Sequence, residues 1–181
     1  AGSLLQILII LLLHINKHGE LAKGDLELQP SVVVEIVWPS EWNTDIDLWV
    51  QAPGDWPVGY SNKGGIIFNL LRDDLGRHGD ATPINYEIAY TRGIPPSEYI
   101  VNVHFYRDDG HFPVPVTVIV STKRFPNAQA RQILATEVTL NKRGQERTAF
   151  RFTLDEEAAL VPGSVNSIFA PLRNTTRSRA P

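Results

Sequence analysis

Five aspartates supply the densest chemistry in this chain. Asp45 and Asp47 alternate at the start of one apolar stretch, and Asp73, Asp74 and Asp80 follow in a turn-rich segment. Carboxylates are hard oxygen ligands, and Ca²⁺ takes about six to eight oxygens, so two neighbouring loops bearing these side chains are expected to supply several ligands of one cation site. Neither an EF-hand nor a glycine–aspartate repeat accompanies them. Their competing use is structural: each would cap a turn through nearby backbone amides, or pair with Arg72 or Arg77.

The remaining polar groups point away from catalysis. His14, His18, His78, His104 and His111, with the scattered serines, fall in no nucleophile–base signature. His104 lies within an expected strand and His111 at a hairpin tip beside Asp108 and Asp109, positions that suit structural or surface histidines. No enzyme is expected, and no cofactor beyond the cation. Trp42 and Trp56 fall on either side of the stretch 45–51, while Trp38 and Trp49 lie inside strands. Such aromatics can stack on sugar rings, which makes carbohydrate the second candidate ligand. Asn174-Thr175-Thr176 matches a glycosylation sequon.

Composition narrows the partners. A net charge of -3 without any concentration of Lys and Arg is not a phosphate-binding surface, so nucleic acid is excluded. The absence of cysteine removes disulfides, thiolate zinc sites and a cysteine nucleophile. An apolar fraction of 43% and a charged fraction of 20% are ordinary enough for the body of the chain to fold.

The elements that must hold these residues read as strands. Ser31 to Trp38 is β-branched and apolar and stops at Pro39. In Asp45 to Gln51, Ile46, Leu48 and Val50 face one way and Asp45, Asp47 and Trp49 the other. Pro53-Gly54 marks a turn, Val58 to Asn62 returns as a short strand, and Lys63-Gly64-Gly65 turns into Ile66 to Leu70. Residues 71 to 84 form a long loop, of the kind that often carries function. Asn85 to Thr91, Glu98 to Tyr106, Val114 to Thr122, Gln132 to Leu140 and Glu146 to Leu154 complete the set, the rigid turn Gly93-Ile94-Pro95-Pro96 introducing the second of these. Many short strands with no amphipathic helix between them predict an all-β, antiparallel β-sandwich of Greek-key or jelly-roll kind.

The opening is different. Leu4, Leu5, Ile7, Leu8, Ile9, Ile10, Leu11, Leu12 and Leu13 surround the single amide of Gln6. The segment is aliphatic on every side, which favours lipid or neighbouring helices as its surroundings. As a helix, residues 1–15 would rise roughly 22 Å, short of the about 30 Å of a bilayer core, so the stretch is read as the C-terminal part of a transmembrane helix, ahead of a helix docked in a partner or a signal remnant. The expected organisation is therefore helix 1–15, linker 16–30, β-sandwich 31–170, and a flexible basic tail 171–181 containing Arg173, Arg177 and Arg179.

The run WPSEWNTDIDLWVQAPGDWPVGYSNKGG, with LLRDDLG, RGIPPSEYIVNVHFYRDDG and PVPVTVIV after it, resembles a group of poorly characterised bacterial and phage-encoded β-sandwich proteins over roughly residues 30 to 155. They pair a D-x-D-x-W/H-V strand with a P-x-G turn, an R-D-D-x-G loop and a P-G-E-Y-x-V-N-V-H strand; Ser97 stands where that pattern has glycine. Several look like single-pass membrane proteins, in an arrangement similar to the B-type subunits of ion-driven motors of the MotB, ExbD and TolR kind. The resemblance implies a bacterial inner-membrane protein with its sandwich on the periplasmic side, assembled as a dimer against the helices of a partner membrane subunit, with Leu4 to Leu13 making those contacts. The aspartate such motor helices carry has no counterpart here before Glu20, so an ion-coupling role would require it upstream of Ala1. An anchored binding module for carbohydrate or Ca²⁺ is the alternative.

Overall fold

The computed structural model describes residues 30–75, 84–125 and 128–173. The expected transmembrane segment, nearly all of the linker, Asp80 and the tail beyond 173 lie outside these residues. Eight strands form: β1 (Ser31–Val37), β2 (Asp45–Gln51), β3 (Phe68–Arg72), β4 (Tyr86–Thr91), β5 (Ser97–Arg107), β6 (Val114–Lys123), β7 (Arg131–Leu140) and β8 (Glu146–Leu154). They make a five-stranded sheet in the order β3-β4-β1-β6-β7 and a three-stranded sheet in the order β2-β5-β8. Every strand pairing is antiparallel.

Alternation explains the packing. Val32, Val34 and Ile36 of β1, the valines 114, 116, 118 and 120 of β6, and Ala89 of β4 project from the larger sheet into the core. Ile46, Leu48 and Val50 of β2, Val101, Val103 and Phe105 of β5, and Phe150, Phe152 and Leu154 of β8 meet them from the smaller one. Branched and aromatic side chains favour the pleated backbone and fill the space between two sheets. The turn before β5 is pinned from within the core: the Tyr99 hydroxyl donates to the Pro95 carbonyl at 2.7 Å, while its ring stacks on Phe152 and meets Phe68 edge-on.

Two expected strands differ from what forms. Val58 to Asn62 makes only isolated bridges, Val50 with Val58 and Gly59 with Asn62. The chain leaves the sheet there because Gly59 lies against the Trp49 indole, so closely that a Cβ would come within 2.4 Å of the ring. The strand expected at Ile66 begins instead at Phe68. Asp55, in the Pro53-Gly54 turn, accepts hydrogen bonds from the N–H groups of Trp56, Ile66, Ile67 and Phe68 at 2.7 to 3.1 Å, and this holds Ile66 and Ile67 in the turn. Gly65 is required beneath that carboxylate, since a Cβ would meet its oxygen at 2.4 Å.

The segment after β8 crosses the outer face of the smaller sheet. Arg151 and Asn166 exchange backbone hydrogen bonds, Asn102 donates to the Ala170 carbonyl, and the N–H of Leu172 donates to Glu146. Leu172 is buried as a result. The boundary expected at Pro171 therefore falls inside a docked strap.

Candidate metal centre

β2 ends the smaller sheet, so on its outer side the backbone has no strand neighbour, and a buried N–H there needs an acceptor. Glu87 provides it. This residue sits on β4 in phase with Ala89, directed between the sheets, and its carboxylate accepts from the N–H of Leu48 at 2.7 Å and of Asp74 at 3.1 Å. Glu87 is 1% exposed. The larger sheet thus reaches across to the edge of the smaller one through a carboxylate.

Asp47 and Asp73 meet Glu87 at this edge. One oxygen of each of the three carboxylates lies within 4.8 Å of the others. Asp47 comes from β2, on the face opposite the core, and pairs across to β5 at His104. The His104 Nδ1 lies 2.7 Å from Asp47 Oδ2, and because an ionised carboxylate only accepts, the ring donates there and fixes the orientation of Asp47. Asp73 follows β3 directly; Lys63 binds its Oδ2 at 2.8 Å, while Oδ1 is buried with no hydrogen-bond partner among the described residues.

Asp45 stands beside this trio. It is 1% exposed, its Oδ1 has no hydrogen-bond partner among the described residues, and the charges of Asp47, Asp73 and Asp74 act on it. Burial, then repulsion from Asp47, pushes the Asp45 carboxyl up to about 7, with Arg107 pulling the other way. Burial likewise raises Asp47 against the hydrogen bond from His104, and raises Glu87 well above the usual carboxylate range. A concentrated set of acids is thus held where its charge is penalised twice, by desolvation and by its own neighbours. A divalent cation would relieve both penalties.

Of the aspartates expected at such a site, Asp47 and Asp73 converge and Asp45 adjoins them. Asp74 turns elsewhere: its Oδ2 accepts from the N–H of Tyr86 at 3.1 Å and from Arg72 at 2.9 Å, the structural use of an aspartate anticipated above. Glu87 was not legible as a ligand. The available signal was its phase, since a carboxylate alternating with Ala89 on the core side of a strand has to find a partner. The donor set fits a hard cation, with carboxylate oxygens only and, at Asp45 and Asp73, buried acceptors without a partner among the described residues.

The aromatic candidates separate by exposure. Trp38 is buried and its Nε1 donates to the Thr44 carbonyl at 2.8 Å, and Trp42 stacks on His111 with ring centroids 4.9 Å apart. His111 in turn lies 2.9 Å from Asp109, which also accepts from Thr44 and Asn43. Burial opposes ionisation of Asp109, but these hydrogen bonds outweigh it and hold the carboxyl down at about 2. Trp49 is 4% exposed and Trp56 39%, leaving Trp56 with the most accessible indole. No family model, curated protein or solved structure matches this chain.

Proposed function

We propose that this chain is a non-enzymatic binding module, a sandwich of Greek-key kind that holds one Ca²⁺ at the β2 edge of the smaller sheet, at Asp47, Asp73 and Glu87, with Asp45 as the adjoining ligand. The observation that carries the reading is the approach of those three carboxylates to within 4.8 Å, beside buried acceptor oxygens that have no hydrogen-bond partner among the described residues. The cation would tie β2, β4 and the loop after β3 together, so that binding and folding are coupled. His104 would orient Asp47 without touching the ion.

Membrane anchoring, the periplasmic setting and dimerisation are part of the proposal on the strength of Leu4 to Leu13. Among the described residues no helix is long and apolar enough to cross a membrane. The motor-subunit reading rests on the same apolar segment. The carboxylate centre favours the anchored module.

The test is calorimetric. CaCl₂ added to chelator-stripped protein should release or absorb heat with one-site saturation and raise the melting temperature, by the equivalent of about 2.7 kcal/mol at a hundredfold excess over the dissociation constant. Asp73→Asn, on a loop and partly exposed, keeps the fold and should weaken binding at least about tenfold, the loss of roughly one charged ligand. Absence of heat and of any thermal shift with both Ca²⁺ and Mg²⁺ rejects the reading.

A further inference from the structure

A cleft of about 210 Å³ opens on the outer side of β2, walled by Trp49, Trp56, Ser61, Asn62, Leu172 and Arg173. Two of these residues carry buried N–H donors with no acceptor among the described residues, the Trp49 Nε1 and the Arg173 Nε. An unpaired buried donor costs about 1–3 kcal/mol. Both orphans are donors, and both belong to residues that wall the cleft.

The walls are preorganised. Trp49 is fixed by Gly59 against its ring and by Tyr60, edge-on with centroids 5.7 Å apart. Arg173 is the residue after Leu172, which the strap buries, and its charge acts on Asp47. Opposite them Trp56 offers a partly exposed indole, a flat face on which the C–H side of a pyranose can stack. Drug-sized ligands occupy about 300–1,000 Å³, and this smaller volume suits one ring. The ligand chemistry is then a stacking face with oxygens along its edge, one of them negative to match the guanidinium.

We infer that this cleft binds a single carboxylated sugar ring, stacked on Trp56, whose carboxylate and hydroxyl oxygens accept from Arg173 and Trp49. The cleft adjoins the cation centre, since Arg173 acts on Asp47 and Trp49 lies two residues along β2 from it, so the two sites are probed by separate titrations. The experiment uses full-length protein labelled with ¹⁵N-tryptophan and titrated with sodium glucuronate, once with Ca²⁺ and once with chelator. Trp49→Phe assigns the resonance.

The Trp49 indole N–H signal should shift saturably in at least one of the two buffers, while that of Trp38, already bonded to Thr44, stays in place. Arg173→Gln and Trp56→Ala, both changes of partly exposed side chains, should each weaken the titration about tenfold or more, the worth of one charge-assisted bond or one stacked face. An unmoved Trp49 signal in both buffers overturns the proposal. So does an Arg173→Gln curve identical to that of the unmodified protein, or an equal response to glucose, which lacks the charge, or to acetate, which lacks the ring. Heat on adding CaCl₂ reports only on the cation centre, so failure of one site is distinguishable from failure of the other.

Discussion

Ser97 opens β5 with φ at +135°, a backbone region L-residues rarely adopt. Without a Cβ, glycine enters this region at little cost. Strain of this kind is worth about 1–3 kcal/mol, and glycine's extra unfolded-state entropy recovers part of the difference. Ser97→Gly is therefore expected to stabilise the protein by about 1 kcal/mol, read as a higher urea midpoint with an unchanged slope. A lower midpoint would show that the serine side chain contributes more than its backbone conformation costs.

The turn between β2 and β3 depends on one carboxylate. Asp55 holds four backbone N–H groups, three of them in the segment that leads into β3. Hydrogen bonds to a charged acceptor contribute about 1.5–3 kcal/mol each and are not additive within one cluster. Asp55→Ala should cost about 3 kcal/mol or more, and amide exchange at Ile66, Ile67 and Phe68 should accelerate well beyond that of β1. Uniform acceleration across both sheets would mean that this turn has no local stability of its own. Because β3 leads directly into Asp73, the same variant should also weaken Ca²⁺ binding. The Pro-Gly and Gly-Gly turns were readable from residue type. That Asp55 joins them was not, since its partners lie eleven to thirteen residues away.

Glu35 makes the stability of the whole sandwich depend on pH. It lies on β1, on the face of the larger sheet turned away from the core, with Ile88 and Ile119 as its register partners on either side and Val33 and Val37 along the strand. It is 2% exposed, and burial pushes its carboxyl from 4.5 up to about 7. A raised carboxyl favours the folded state fully below about pH 4.5, and that contribution is lost as the pH rises to about 7. At about 1.36 kcal/mol per unit the loss is on the order of 3 kcal/mol. Glu35→Gln should therefore match the parent near pH 4.5 and melt at a higher temperature at pH 8, with chelator present in both so that the cation centre does not contribute. Equal pH slopes for the two proteins would remove Glu35 as the cause. Only the assembled sheet shows this, because alternation places a glutamate between Val34 and Ile36 on the outer face without saying that the face is covered.

Local residue types determined the strands, because a period of two with β-branched side chains leaves few other ways to bury Val32, Val34, Ile36 and their counterparts. They also marked most of the turns and the aspartates proposed as cation ligands, though not Glu87. Tertiary structure alone decided which acids meet. β2 and β4 belong to different sheets, and Glu87 reaches Leu48 and Asp74 only because the edge of one sheet packs over the inner face of the other. The same packing sent Asp74 to the backbone and to Arg72, and folded the strap over Asn102 so that Arg173 and Trp49 share one cleft. Such contacts are set by the geometry between sheets, which no periodicity along a single strand encodes.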